Sequence, residues 1–335
     1  MSYNLTYNLI FVIFCSCLQG ITAQNEQETD STAIISYEDK MQIKLNIDSH
    51  LENYYISSGA EGTNLNLALN NDLRLTLLFD YKIFSLSYSF TPDFLPGNHG
   101  DDEKGESSYS DLSFRIFPGQ FVQEFTYQRM KGFYVANSSD FLKGLPSSET
   151  YLLFPDLKRT FYGGSTAYIL NPDFSLENLI YQREWQRYST GSFVPRLNYG
   201  YTKFSNDFEN FKGKEKDYHL SLDLNYYYNW VVAEKFNISP YGFGGLGMRI
   251  ENYRQKGENI DEKEVNTYFT QEYGGGMQLG FNTDTLLMGA RVSYNSLNYK
   301  NSYDRKIKHD SWYGLFFIGY RLDPPEKLKE IGDKF

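Results

Sequence analysis

A two-residue period in hydrophobicity runs through most of this chain and restricts its fold more than any other feature. Met41, Ile43, Leu45 and Ile47 interleave with Gln42, Lys44, Asn46 and Asp48. Leu73, Leu75, Leu77 and Phe79 alternate with Arg74, Thr76 and Asp80. Past a Tyr81-Lys82 turn, Phe84, Leu86, Tyr88 and Phe90 face away from Ser85, Ser87 and Ser89, and Leu112, Phe114 and Ile116 oppose Asp111, Ser113 and Arg115. The C-terminal half repeats the code: Leu220, Leu222 and Leu224 against His219, Ser221 and Asp223, then Met288, Ala290, Val292 and Tyr294 against Arg291, Ser293 and Asn295. Successive side chains of a strand point to opposite faces, so each run has one apolar and one polar side.

A soluble half-buried sheet alternates in the same way, and two further features separate the possibilities. The polar faces carry Arg, Asp and Glu in mid-strand, which suits a lumen shielded from lipid. The connections also sort into short turns at 81–82, 118–119, 171–173, 232–235 and 282–285 and long polar stretches at 92–107, 130–158, 205–216, 251–264 and 300–310. Short turns at one end and long loops at the other mark an outer-membrane barrel. The expected fold is all-β, a transmembrane antiparallel up-and-down β-barrel of about 12 strands, with 10–14 as the range. A soluble periplasmic β-sheet protein ranks behind it.

Composition agrees. Tyr (30) and Phe (26) are abundant enough for aromatic girdles, and a mean hydropathy of -0.53 is too polar for a helical membrane protein. The net charge of -10 argues against nucleic acid or an anionic membrane surface as partner. Residues 1–23 read as a cleavable signal peptide, with the apolar core Leu9–Phe14 and Ile21-Thr22-Ala23 before the cut, although no Lys or Arg precedes that core. Both cysteines, Cys15 and Cys17, lie inside it, so a mature chain starting at Gln24 has no disulfide and no thiolate metal site. Lipidation at Cys17 is the weaker alternative. Residues 24–39 read as a flexible periplasmic segment, 40–322 as the barrel, and 323–335, after Asp323-Pro324-Pro325, as a periplasmic tail.

Thr160–Phe204 carries strand-like arms around an Asn171-Pro172-Asp173 turn, a hairpin signal. Strands at 174–188, 193–204 and 217–231 bring the total to thirteen, whereas bacterial barrels have even numbers. Either Gly191-Ser192 is a bulge within one strand or a further strand is hidden. Phe174-Ser175, Gln182-x-x-x-Gln186 and Gly191-Ser192-Phe193 also carry a resemblance. With Tyr81-Lys82, Lys131-Gly132-Phe133-Tyr134, Pro155-Asp156-Leu157-Lys158 and a closing Gly319-Tyr320-Arg321, they make the chain similar to a family of Bacteroidota outer-membrane barrels known as a domain of unknown function (DUF4421). That resemblance implies a location in the outer membrane and a barrel architecture. It brings no reaction with it.

Chemistry-bearing residues are few. His219 and Ser221 share one strand face, with Asp223 beyond, a spacing suited to a base, a nucleophile and an orienting acid acting on lipid or lipopolysaccharide. The flanking leucines should meet lipid, however, so these three side chains turn inward, away from any acyl chain. A polar lumen row is the simpler reading. Asp101, Asp102, Glu103 and Glu106, and separately Glu258, Asp261, Glu262 and Glu264, offer hard oxygen ligands without the spacing of a calcium loop. Arg74, Asp111, Arg115, Glu124, Glu184, Arg196, Asp223, Arg249, Glu272 and Arg291 are predicted to line the lumen, and their mixed signs suggest a paired, closed interior over a selective pore. No cofactor is expected. The expected partners are outer-membrane lipid and lipopolysaccharide and, during biogenesis, the barrel assembly machinery. A structural, transport or surface-interaction role without catalysis follows, with porin-like proteins as the nearest general class.

Overall fold

The computed structural model describes residues 32–51, 54–57, 64–98, 103–140, 151–208, 211–256, 261–300 and 306–332. Its strands in chain order are β1 (Ile34–Ser36), β2 (Met41–Leu51), β3 (Tyr54–Ser57), β4 (Asn64–Ala68), β5 (Arg74–Tyr81), β6 (Phe84–Phe90), β7 (Ser108–Ile116) and β8 (Phe121–Val135). There follow β9 (Leu153–Tyr168), β10 (Glu184–Gln186), β11 (Thr190–Phe208), β12 (Phe211–Ala233), β13 (Phe236–Lys256), β14 (Asp261–Asn282), β15 (Leu286–Lys300) and β16 (Lys306–Leu322).

Twelve of these close into one antiparallel ring. Neighbours in the wall follow the chain from β5 through β9 and from β11 through β16, β9 pairs with β11, and β2 bridges β16 to β5. Closure leaves none of the twelve wall strands as an edge, which a spanning sheet must do because lipid offers its backbone no hydrogen-bond partner. The pleat then sorts the sequence. Leu220, Leu222 and Leu224 are 49%, 60% and 53% exposed on the outer wall, whereas Ser221, Asp223 and Asn225 between them are buried. Phe316, Ile318 and Tyr320 are likewise outward beside buried Leu315, Phe317 and Arg321. The fold is a transmembrane up-and-down β-barrel.

The structure departs from the sequence-based expectation in two ways. Residues 174–188 are not a wall strand. Asn171 opens a turn, and Ser175 then caps a short helix, Leu176–Ile180, by accepting the Asn178 N–H at 2.8 Å. β10 follows and pairs with β1, so Ile34–Ser36 of the N-terminal lead-in belongs to the same small unit. Removing 174–188 from the wall turns thirteen strands into twelve, and Gly191-Ser192 falls at the start of one long β11. Secondly, much of 205–216, 251–264 and 300–310 is strand, because β11 to β16 run on beyond the apolar belt. Once a strand leaves lipid its outward face becomes charged, and the hydrophobic alternation disappears from the sequence while the ladder continues.

The Lys131-Gly132-Phe133-Tyr134 motif has a local cause. The β8–β9 register shifts between Lys131 and Phe133, and Gly132 takes φ +78 there; a Cβ would stand 2.0 Å from the Glu106 carbonyl oxygen. Only glycine fits this bulge. A short helix, Glu326–Gly332, follows Pro324-Pro325 after the last wall strand.

Candidate functional site

The segment from Ile169 to Ser189 folds back into the short-turn end of the barrel as a plug. Phe174, Leu176, Leu179 and Tyr181 bury themselves against Phe117 and the inward-facing Val122, Ala167, Val194 and Tyr227. Polar side chains around the plug are equally enclosed: Asn229, Asn237, Ser239 and Gln278 are all 0% exposed. Gln186 is the hub within the plug. Its carbonyl oxygen accepts from the Ser175 N–H and the Asn229 amide, and its amide donates to the carbonyls of Asp173 and Ala33.

Wall cations hold the exit of the short helix. Arg291 of β15 donates to the Leu179 and Ile180 carbonyls at 2.8 and 3.3 Å. Lys44 of β2 donates to the Tyr181 carbonyl at 3.1 Å and to Gln182 Oε1 at 2.6 Å, and Arg321 of β16 donates to the Gln182 carbonyl. The last carbonyls of a helix have no partner within it and carry partial negative charge, so cations are the fitting caps. Gln182 itself sits at φ +57, the turn that presents its carbonyl to Arg321. Below this point Lys40 bonds Asp323 at 2.6 Å and thereby holds that carboxyl below the usual range.

Above the plug lies a polar chamber of about 290 Å³, floored by Ile180 and Tyr181. Lys44, Asp48, Arg74, Asp111, Arg115 and Glu124 line it. Its charges come largely as pairs. Arg74 meets Asp48 at 2.6 Å, and Arg115 meets Glu124 at 2.9 Å and the Ser87 hydroxyl at 3.0 Å. Asp111 accepts from Ser113, and Arg196 donates to the Tyr227 hydroxyl lower in the lumen. Glu184 is the exception among the predicted lumen charges: it belongs to β10 of the plug, where it accepts the Ser175 hydroxyl at 2.5 Å. Lys44, Asp48, Asp217 and Arg321 do the same work and were absent from the sequence-derived set. Strict parity with the outward Ile43, Ile47, Tyr218 and Tyr320 identifies all four.

Further toward the long-connection end, Arg249 stands among Glu215, Asp217 and Glu251, whose carboxylates lie within 4.8 Å of one another. Arg249 bonds Asp217 and approaches Glu215 at 3.5 Å, so the cluster already holds its cation. His219 turns toward Glu272 on β14 at 3.2 Å. Ser221 accepts from the Asn198 amide at 3.1 Å, and the same amide reaches Asp223. Gly245 makes this possible, since a Cβ there would meet Asp223 Oδ1 at 1.9 Å. His219, Ser221 and Asp223 therefore share a wall, but each is engaged by a neighbour outside the trio. Of the acidic-loop candidates, Glu103, Glu106 and Glu264 are exposed, Asp101, Asp102 and Glu258 lie outside the described residues, and so do the side chains of Asp261 and Glu262.

These features define a plugged transmembrane β-barrel of the outer-membrane type. Residues 28–322 match the family described as Domain of unknown function (DUF4421), and the chain belongs to it. No curated protein matches the sequence. Among solved structures, the chain is similar to OmpT of Vibrio cholerae at 9% identity and TM-score 0.35, covering 89% of this chain and 100% of that one. LpxR from Salmonella typhimurium is also similar, at 9% identity, TM-score 0.35 and coverage of 83% and 99%. The outer membrane protease OmpT from Escherichia coli follows at 8% identity, TM-score 0.31 and coverage of 88% and 98%. Superpositions as loose as these carry no functional information.

Proposed function

We infer that this protein is an outer-membrane barrel closed on its periplasmic side, which receives a small polar ligand in a chamber open toward the outside and performs no catalysis. Short turns are periplasmic in such barrels, which supports a periplasmic position for the plug and for Met41 and Leu322 at the same end. Export by the leader 1–23 fits the same placement. The observation that carries the reading is the plug seat: side chains around it lose all exposure, and charged donors from three wall strands grip its main chain. An open diffusion pore needs water where these groups meet. The ligand suited to the chamber is one that offers both charges, able to exchange with the Arg74–Asp48 and Arg115–Glu124 pairs.

The competing enzymatic reading would use His219 and Ser221, and their separate partners, Glu272 and Asn198, weigh against it. Planar-bilayer conductance tests the closed state. The wild-type barrel is expected to give no stable open steps, and replacing residues 172–188 by a Gly-Ser linker is expected to produce them. Persistent ohmic conductance from the intact protein would overturn the reading.

A further inference from the structure

Beyond the tyrosines at the long-connection end, the outer wall turns from apolar to cationic over four adjacent strands. Lys203 of β11, Lys214 and Lys216 of β12 and Lys263 of β14, with Arg254 and Tyr218, line an outward groove of about 530 Å³. We propose that this groove binds the phosphorylated sugar head group of an outer-leaflet glycolipid, with the lysines on its phosphates and its acyl chains on the apolar wall beneath. The proposal rests on the outer-membrane placement inferred above.

The sequence Lys214-Glu215-Lys216-Asp217 alternates in sign, and the pleat converts that alternation into a separation. Both lysines are exposed on the outside, while Glu215 and Asp217 turn inward to Arg249. The result is a cationic face on a chain whose overall charge is -10. Net charge alone speaks against an anionic membrane partner; its local sorting favours one.

Register sharpens the case. Lys203 stands directly opposite Lys216, Lys214 opposite Arg254, and Arg254 opposite Lys263. Like charges in directly opposed positions destabilise a sheet unless something neutralises them. Among the described residues, none of the four lysines has an ion pair or a side-chain hydrogen bond. Phosphate oxygens are strong acceptors for such donors.

Height and width point to the class of ligand. Two residues along the strands from Lys216 and Lys203, the rings of Tyr218 and Tyr201 lie 5.1 Å apart, at the position of an interfacial aromatic belt. Tyr199, Leu220, Met248 and Phe269 form the next outward row, ready for acyl chains. Four neighbouring strands span about 14 Å at the usual inter-strand spacing, wider than one phosphate. A head group with phosphates on a disaccharide covers that width, whereas a single phosphodiester does not.

Native mass spectrometry of the full detergent-solubilised barrel tests this with three probes: bis-phosphorylated lipid A, its dephosphorylated form, and phosphatidylglycerol. Bis-phosphorylated lipid A is expected to bind at least tenfold more tightly than either other probe. The combined Lys203→Gln, Lys214→Gln, Lys216→Gln and Lys263→Gln variant is expected to lose that preference. Lys308→Gln, elsewhere on the outer wall, should leave it unchanged. Equal binding of phosphatidylglycerol, or an undiminished preference in the fourfold variant, would overturn the proposal. Heat-modifiable mobility verifies folding, and if the fourfold variant does not fold, Lys216→Gln alone should weaken lipid A binding about threefold; no change there would also overturn it. Membrane fractionation reads the location separately, so a misplaced protein and an absent lipid site give different results.

Discussion

Gln42 and Arg321 stand directly opposite each other across the seam where the first wall strand meets the last, and both donate to consecutive carbonyls of the plug. Gln42 reaches the Tyr181 carbonyl at 3.0 Å and Arg321 the Gln182 carbonyl. Arg321 also bonds Asn282 Oδ1 at 2.7 Å and covers the Tyr37 ring at 3.7 Å. The strand junction that closes the barrel is therefore also the clamp on the plug. These bonds are complete only when both ends of the wall have met.

Arg321→Met should consequently loosen wall and plug together. Hydrogen bonds to charged groups contribute roughly 1.5–3 kcal/mol each, and this change strands several acceptors at once. We expect a fall of about 2–4 kcal/mol in stability toward urea, with only partial recovery in Arg321→Lys because an ammonium lacks the planar fork. Unfolding followed by the heat-modifiable gel band measures it; an unchanged midpoint for Arg321→Met would contradict the clamp.

Ser221→Ala should leave any lipid-hydrolysing activity of the purified protein unaltered, because the Ser221 hydroxyl is held by Asn198 on the inner wall. Ester release from a labelled phospholipid provides the readout. Turnover in the wild type that disappears in this variant would restore the enzymatic reading.

Val292 is 53% exposed on the outer wall, and the next residue, Ser293, turns to the other face. An Arg facing lipid at mid-depth costs about 2–4 kcal/mol. Val292→Arg should therefore lower the yield of folded barrel far more than Ser293→Arg. Equal yields, or the reverse order, would mean that the face assignment in β15 is wrong.

Residues 323–332 add no rung to the wall, since Asp323-Pro324-Pro325 leads straight into the helix Glu326–Gly332. Deleting 324–335 should still give a heat-modifiable barrel, whereas deleting 312–335 removes every residue of β16 that pairs with β2 and should abolish it. Gel mobility of the two truncations in isolated membranes distinguishes them.

The wall was readable because lipid imposes a strict rule: every second residue apolar, as in Leu220, Leu222 and Leu224. Where that rule lapses, the sequence misleads. Glu184, Trp185 and Gln186 alternate like a wall strand, yet they form a rung against Ile34–Ser36 inside the barrel, because short-range alternation cannot say what lies on either side of a strand. The charged stretch 205–216 resembles a loop for the opposite reason, being ladder surrounded by water. The site was legible in its wall half. Arg74, Arg115, Glu124 and Arg291 follow from parity with outward neighbours, whereas the plug carbonyls that Arg291 serves depend on a fold-back that begins with one Ser175 cap.

The plug is a connection between two wall strands, continuous with β9 at one end and β11 at the other, so it has no free end by which to leave the barrel. Tension on the chain ahead of Ile34 would nonetheless be delivered into it. Among the described residues, the first bonds to carry that load join the Ala33 carbonyl to the Arg187 N–H and to the Gln186 amide, and Gln186 in turn holds Asp173, Ser175 and Asn229. A pull on the chain ahead of Ile34 would thus act on the residue that organises the plug's interior while both of its ends stay fixed. The N-terminal strand is a mechanical handle on an otherwise tethered stopper.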